Sequence, residues 1–411
     1  MYDFDKIVKR RNTKCIKWDT WKKEGKPKDI LPLWVADMDF ETLPEVTEAI
    51  IERAKHAVYG YSMAGDDYYE AVCNWMKRRH QLDINADNIV TTTGVVTALK
   101  IAVNAFTAPG DAIIINKPVY YPFDFSIDEN QRKKIECPMM FTGQTYELDF
   151  DLFEQLIIDN DVKMFILCNP YNPIGKVWNK EELFKLGNIC KKHNVLVVSD
   201  EIHQDFIYKG NKHLPFVNVD ASFKEFTIIC TAPSKTFNLA GLQTSNILFF
   251  NHKLKEKFIK VKSSLGFPVE PTIFGIEACK AAYNHGDKWV DELVAYLDGN
   301  IKYLDGFLKK KLPMLKMIKP QGLYLVWVDF SALQMTHEEL EAFMVNEAKL
   351  WLDEGYIFGV GGAGFERFNL AMPRCLLVQA LDNLYQALKN RQLIYRWWSF
   401  IFFVYNKLLL T

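Results

Sequence analysis

The stretch Thr231-Ala-Pro-Ser-Lys-Thr-Phe-Asn-Leu-Ala-Gly-Leu242 decides how the rest of this chain is interpreted. The β-branched run before it, Phe226–Cys230, predicts a buried strand, and its own Pro, Ser and Gly residues predict a tight turn. Lys235 is therefore expected just past the end of a strand, with apolar structure behind it. Desolvation there lowers the pKa of an amine and makes the amine a nucleophile toward carbonyls. Because a single lysine after a strand is usually only a loop charge, other residues must support this interpretation.

The bulk composition indicates an ordinary globular protein. At 411 residues, with 49% apolar and 25% charged residues, the chain is long enough for two domains. A net charge of −1 gives no basic field for nucleic acid. The eight cysteines form no CxxC pair, which favours reduced thiols in the cytoplasm, and we predict no metal site. The N-terminus begins Met-Tyr-Asp-Phe-Asp-Lys, without the apolar segment of a secretory signal.

The C-terminal residues 392–411 form an apolar tail of unknown role. Its longest unbroken apolar run, Phe400–Tyr405, is far shorter than the roughly 20 residues that span a bilayer. A helix docked on the body or a non-native extension is therefore favoured over an interfacial anchor, and membrane association is not expected.

From about residue 88 the pattern alternates between short β runs and helical stretches, which predicts a parallel α/β sheet. We predict a large domain over residues 46–286, with a mostly parallel, seven-stranded-type sheet flanked by helices. A smaller α+β domain is expected from residues 1–45 and 287–391, with long helices near 288–312 and a strand pair at 323–328 and 367–371.

Polar residues stand at the predicted ends of several strands, where open α/β sheets bind ligands. Gly94 lies between a strand and a helix, so the backbone N–H groups of Gly94, Val95 and Val96 can receive a phosphate. Asn172 lies in Asn-Pro-Tyr-Asn-Pro-Ile-Gly, whose prolines fix the loop. Asp200 ends an apolar strand, and a protonated pyridine nitrogen would compensate its buried charge. We therefore predict that Lys235 binds pyridoxal 5'-phosphate (PLP) as a Schiff base.

Asn172, Asp200 and Lys235 are spaced 28 and then 35 residues apart, each at its own strand end. This pattern resembles the fold-type I PLP enzymes, the aspartate aminotransferase superfamily, over about residues 30–390. The resemblance implies a role in cofactor binding for the following residues: Gly94, Val95 and Val96 at the phosphate, Ser234 assisting there, Tyr120 stacked on the ring, Asn172 at the phenolic oxygen, Asp200 at the ring nitrogen, and Lys235 as the Schiff-base lysine.

The resemblance also implies a dimer and a substrate clamp. Tyr61 would reach the phosphate of the neighbouring subunit, so that a homodimer shares its active sites. Arg367, in Arg-Phe-Asn-Leu-Ala-Met-Pro-Arg374, matches the arginine that forks onto a substrate α-carboxylate, with the Ala36 backbone beside it. Arg374 is the second candidate and is favoured as structural.

Two departures narrow the subgroup. Many aminotransferases carry a phosphate-binding arginine where this chain has Gln243, and a tyrosine where it has His203. Together with Trp34-Val-Ala-Asp-Met-Asp-Phe40 and Tyr59-Gly-Tyr61, they look like the cystathionine β-lyase (C–S lyase) subgroup. His203 is then expected near the phenolic oxygen of the cofactor.

The resemblance predicts α,β-elimination on L-cystathionine or a related L-cysteine S-conjugate, with freed Lys235 removing the Cα proton. The products would be a thiol, pyruvate and ammonia. A class I/II aminotransferase remains an alternative, because both reactions share every step up to the carbanion. A regulatory or binding protein that retains the fold is the second alternative.

Overall fold

The computed structural model of the chain describes residues 1–266 and 270–394. The predictions made for the apolar tail fall mainly on residues 395–411, which lie outside this described part. Within it, the strands in chain order are β1 Leu31–Pro32, β2 Ile89–Thr92, β3 Ala112–Lys117, β4 Lys133–Phe141, β5 Tyr146–Leu148, β6 Met164–Cys168, β7 Leu196–Asp200, β8 Thr227–Thr231, β9 Ser245–Phe249, β10 Lys316–Met317, β11 Leu325–Asp329, β12 Leu350–Trp351, β13 Asp353–Glu354 and β14 Phe365–Asn369.

The helices alternate with these strands along much of the chain. In chain order they are α1 Ile16–Asp19, α2 Pro44–Lys55, α3 Asp66–His80, α4 Val95–Phe106, α5 Pro122–Asp128, α6 Phe150–Asn160, α7 Lys180–Lys192, α8 Pro233–Thr236, α9 His252–Ser264, α10 Ile273–His285, α11 Asp287–Lys311, α12 His337–Asn346 and α13 Arg374–Asn390. A capping box begins α7, because Asn179 and Glu182 exchange side chain-to-backbone hydrogen bonds.

The wide sheet has the order β2-β9-β8-β7-β6-β3-β4-β5. Its neighbours from β8 through to β4 run parallel, whereas β2, β9 and the short β5 pair antiparallel. Strands β3, β6 and β8 are buried at every residue, as expected for near-continuous apolar strands covered by helices on both faces. The predicted fold class is confirmed, with one more strand than the seven-stranded type because the described residues include the β4–β5 hairpin.

A smaller antiparallel sheet, β10-β11-β14-β13, follows in the chain. The N-terminal segment joins this region, since β1 pairs in parallel with β12 and Asn369 Nδ2 donates to the carbonyls of Val35 and Asp37. Residues 33–40 thus cross over the end of β14 on their way to the Lys235 turn. This crossing agrees with the prediction that the smaller domain contains residues from both ends of the chain. The domain boundaries at 46, 286 and 391 stay a prediction.

Two large apolar clusters hold these layers together. One lies around the wide sheet and includes Ile114, Phe165 and Val198, and the other joins α3, α10, α11, α13 and the smaller sheet. Among the helices of residues 1–266 and 270–394, none is long and apolar enough to cross a membrane.

Candidate active site

A cavity of about 280 Å³ opens at the carboxyl ends of the parallel strands. Most of the predicted site residues line it, namely Ala36, Gly94, Val95, Val96, Tyr120, Asn172, Asp200, His203, Ser234 and Lys235. They come from segments that are far apart in sequence, and the sheet brings them together because each one follows the end of a strand or begins a helix.

Lys235 lies on the short helix α8, directly after β8. Its Nζ donates to the carbonyl of Ala36 at 2.8 Å. Burial lowers the pKa of Lys235 to about 8; the charge of Arg367 lowers it as well, while Asp37 and Asp200 oppose the shift. The neutral form of the amine, which attacks a carbonyl, is therefore more populated near physiological pH than in an exposed lysine.

Asp200 is the last residue of β7, and its carboxyl group is buried in the cavity wall. Burial raises the pKa of Asp200 to about 7, although Ile202 N donates to Oδ1 at 3.2 Å and Lys235 lies nearby. In the described part of the chain, Asp200 forms no ion pair within 4.0 Å. Its charge lacks a close cation, so a protonated ring nitrogen placed here would stabilise it.

Asn172 lines the cavity and is hydrogen-bonded to Arg367, which lies behind it and is not among the lining residues. Arg367 Nη1 donates to Asn172 Oδ1 at 3.0 Å, so the amide Nδ2 of Asn172 is the group left to donate toward a ligand. Arg367 is only 2% exposed, and its Nη2 contacts the Trp34 carbonyl at 2.9 Å and forms an ion pair with Asp353. The guanidinium is thus held in place before any ligand arrives, with its Nε buried and unpartnered among the described residues.

His203 and Tyr120 present neutral polar rings. Burial lowers the pKa of His203 well below its ordinary value, and the charges of Lys235 and Arg367 lower it further. The Nδ1 atom of His203 is buried without a hydrogen-bond partner in residues 1–266 and 270–394. Burial likewise raises the pKa of Tyr120, which keeps its hydroxyl protonated.

The end of the cavity near Gly94 is suited to binding an anion. Gly94 is the N-cap of α4 with φ +151°, and a side chain added to it would meet open space, so the backbone is accessible at a helix N-terminus. Ser234 and the threonines 93, 97 and 244 surround this end, together with Gln243. Hydroxyl and amide groups therefore replace the arginine that many aminotransferases use.

Three of the predicted positions lie outside the cavity lining: Arg367, which contacts the lining residue Asn172, and also Tyr61 and Arg374. Tyr61 is 92% exposed in the loop between α2 and α3. Arg374 begins α13, where its Nε donates to Asn300 Oδ1 at 2.6 Å and its guanidinium stacks on Tyr303. These contacts fit the structural role that the sequence favoured for Arg374.

Three supporting residues were not identified from the sequence. Asn238 exchanges hydrogen bonds with the backbone of Met38 and Phe40 and thereby ties the Lys235 turn to the N-terminal segment. Asp353 pairs with Arg367, and Tyr324 donates to the Ala36 carbonyl at 3.0 Å. Asn238 follows Lys235 by three residues and has φ +58°, a conformation that Asn tolerates, so its identity was the one available signal.

These features fit PLP group by group. The aldehyde of PLP needs an amine with a lowered pKa, which Lys235 has, and its ring nitrogen needs an unpaired carboxylate, which Asp200 has. Its phosphate needs a helix N-terminus with nearby hydroxyl groups, which Gly94 and Ser234 provide. The orphaned His203 Nδ1 and the free Asn172 amide supply partners for a phenolic oxygen. Residues 1–266 and 270–394 contain no cluster of His, Cys, Asp or Glu suited to a metal ion.

The fold and the site together define a class: an α/β enzyme of fold type I with a lysine–aspartate pair at the ends of neighbouring strands. The model of the family "Aminotransferase class I and II" matches residues 28–384. The chain belongs to this family.

Two relatives and one solved structure are similar to the chain over nearly its whole length. Cystathionine beta-lyase PatB of Bacillus subtilis (strain 168) is 40% identical over 386 residues, covering 94% of this chain and 100% of PatB. Protein MalY of Escherichia coli (strain K12) is 30% identical, covering 95% and 99%. The crystal structure of cystalysin from Treponema denticola, which contains PLP, is 41% identical with a TM-score of 0.91, covering 95% and 99%. The predicted family, C–S lyase subgroup and PLP dependence are confirmed.

Proposed function

We propose that the chain performs α,β-elimination on L-cystathionine or a related L-cysteine S-conjugate, releasing a thiol, pyruvate and ammonia. Lys235 and Asp200 line the same cavity, and the pKa of each is shifted toward neutrality. This observation is the main support for the proposal. The names of PatB and cystalysin support the lyase reaction over other chemistries of the family.

Arg367 is proposed to bind the substrate α-carboxylate. Its buried Nε lacks a partner among the described residues, and the contacts to Asn172, Trp34 and Asp353 hold the fork rigid. A rigid guanidinium loses little freedom on binding a carboxylate in two-pronged geometry. The Ala36 backbone lines the cavity, next to Asn172, the partner of Arg367, and completes the clamp in this proposal.

Lys235 is proposed to remove the proton from the substrate Cα. When bound, PLP supplies an electron sink for the electron pair that this proton leaves behind. The lowered pKa of Lys235 makes Nζ a base in the neutral pH range, and Asp200 holds a proton on the ring nitrogen. The neutral His203 and the Asn172 amide are proposed to hold the phenolic oxygen, and Gly94, Val95, Val96 and Ser234 the phosphate.

Product analysis tests the reaction. Purified holoenzyme incubated with L-cystathionine is expected to release pyruvate and free thiol in equal amounts, at a rate independent of added 2-oxo acid. An aminotransferase would instead need the 2-oxo acid and would release no thiol. Pyruvate assayed with lactate dehydrogenase and thiol assayed with a disulfide reagent separate these outcomes, and thiol-free, oxo-acid-dependent turnover would reject the lyase.

We further propose a homodimer in which Tyr61 reaches the phosphate site of the partner subunit. The loop between α2 and α3 exposes apolar side chains that a second copy could cover, with Val58 61%, Tyr59 60% and Met63 83% exposed. Mixing Lys235→Ala chains with Tyr61→Phe chains is expected to restore activity, because one of the two sites in a mixed dimer is then intact. Absence of restoration, together with a monomer in sedimentation, would reject the shared site.

A cytoplasmic location is proposed as well. All eight cysteines are free thiols, and Cys375 is the one that is exposed. Free thiols are typical of a reducing compartment. Fractionation of the producing cells checks this assignment, and recovery of the protein outside the cytoplasm would contradict it.

A further inference from the structure

A second cavity, of about 430 Å³, shares no lining residue with the first. Its walls come from the end of α3, the loop that follows β7, and one face of α11. Its volume lies in the range of pockets that bind small molecules, about 300–1,000 Å³. None of the functions proposed above uses it.

Basic side chains surround this cavity. Arg78 and Arg79 are neutralised locally, since Arg78 Nε pairs with Asp287 at 2.9 Å and Arg79 Nη1 with Asp291 at 2.8 Å. The two lysines of the wall differ. Lys212 Nζ donates only to the neutral amide of Gln81 at 3.0 Å, and Lys209 forms no ion pair within residues 1–266 and 270–394. Two positive charges therefore face the cavity without acidic partners.

His213 provides a buried polar atom at the same wall. It is 6% exposed, and its Nε2 lies 2.9 Å from Glu201 Oε2. Because Glu201 Oε1 accepts from Ser199 Oγ and Phe216 N, both at 2.9 Å, Glu201 acts as an acceptor and Nε2 carries the hydrogen toward it. Nδ1 is left buried without a partner in the described part of the chain. It can donate to a ligand only when the ring is protonated.

The remaining ionisable groups near His213 are satisfied. The ring of His80 lies 5.9 Å from that of His213, and His80 Nε2 contacts Asp205 Oδ1 at 2.9 Å. Asp205 also accepts from Thr236 Oγ1 at 2.6 Å. With Asp205 and Asp291 both partnered, Lys209, Lys212 and His213 are the groups left to bind a ligand, and the two lysines favour negative charge.

We propose that this cavity binds a small polyanion, such as a phosphate ester or a polycarboxylate, held by Lys209 and Lys212 beside the unpartnered Nδ1 of His213. A polar atom of the bound ligand supplies the missing hydrogen-bond partner of Nδ1. The inference concerns a site separate from the proposed lyase reaction and does not depend on it.

Calorimetry on the PLP-loaded enzyme tests the proposal, with inorganic phosphate and citrate as separate probes at low ionic strength. At least one probe is expected to bind at one saturable site per chain. Preference for phosphate would assign the site to phosphate esters and preference for citrate to polycarboxylates, whereas failure of both probes to bind overturns the proposal.

Matched variants separate a built site from general surface charge. The exposed pair Lys209→Gln/Lys212→Gln is expected to weaken binding at least about fivefold. The control pair Lys257→Gln/Lys260→Gln, exposed on α9, changes net charge equally and is expected to leave affinity unchanged. His213→Gln is expected to weaken binding as well, because it removes the Nδ1 contact. Equal weakening in both lysine pairs would overturn the proposal, and because binding heat is the readout, a failed lyase assay does not affect this test.

Discussion

Replacing Lys235 with alanine is expected to lower kcat for pyruvate and thiol release by at least about 10³-fold. The variant loses both the amine that links the cofactor to the chain and the base that removes the Cα proton, and a positioned base alone contributes about 10²–10⁴-fold. Lys235 Nζ donates to the Ala36 carbonyl, and Lys235 is the one lysine among the described residues that line the cavity. No other amine there can therefore replace it. Steady-state assays with L-cystathionine measure this loss.

The control for this variant is Lys257→Ala, an exposed lysine on α9 that is expected to retain full activity. Borohydride reduction followed by mass spectrometry gives a second readout, since the cofactor mass should appear on the Lys235 peptide of the native chain and of Lys257→Ala, and on no peptide of Lys235→Ala. Circular dichroism should show that both variants fold. Retention of more than about a tenth of native turnover in Lys235→Ala would contradict the assigned role.

The wide sheet and its ligand-binding edge could be predicted because their signals are local. Apolar runs that stop at Asp200 or Cys230 indicate buried strands, and polar residues directly after such runs lie at the carboxyl edge. The same reasoning predicts that Asn172, Asp200 and Lys235 lie close together, and all three line one cavity. Gly94 was predicted on the same grounds and is the N-cap of α4.

The supporting contacts could not be predicted, because they join residues far apart in the chain. The pairing of Arg367 with Asp353 depends on the register of β13 against β14, which no sequence periodicity specifies. The crossing of the N-terminal segment over β14 likewise depends on side chain-to-backbone bonds from Asn369 and Asn238. The second cavity is a further example, since nothing in the sequence around Lys209 and Lys212 distinguishes them from ordinary surface charges.

Replacing Asp200 with asparagine is expected to lower kcat/KM by about 10³-fold while leaving the fold intact. Asn has nearly the same shape but cannot carry the negative charge that keeps the ring nitrogen protonated, and loss of one preorganised electrostatic partner costs about 10²–10³-fold or more. Substrate binding by Arg367 is expected to persist, so the loss should fall on kcat rather than on KM. An unchanged kcat would contradict the pairing of Asp200 with the ring.

The stability of the cofactor-free chain gives an independent measurement on Asp200. Burial raises its folded-state pKa to about 7, above the value of about 3.9 for an exposed Asp, so the folded state binds the proton more tightly than the unfolded state. The Asp200 contribution to stability is therefore greatest below pH 4, is lost as pH rises, and reaches its lowest level above pH 7. Asp200→Asn removes this dependence, so its Tm is expected to fall less than that of the native chain between pH 5 and 8. If the Tm of Asp200→Asn and of the native chain fall in parallel, Asp200 is already ionised without cost in the cofactor-free protein. Its pairing with a ring cation would then lack the driving force assigned to it.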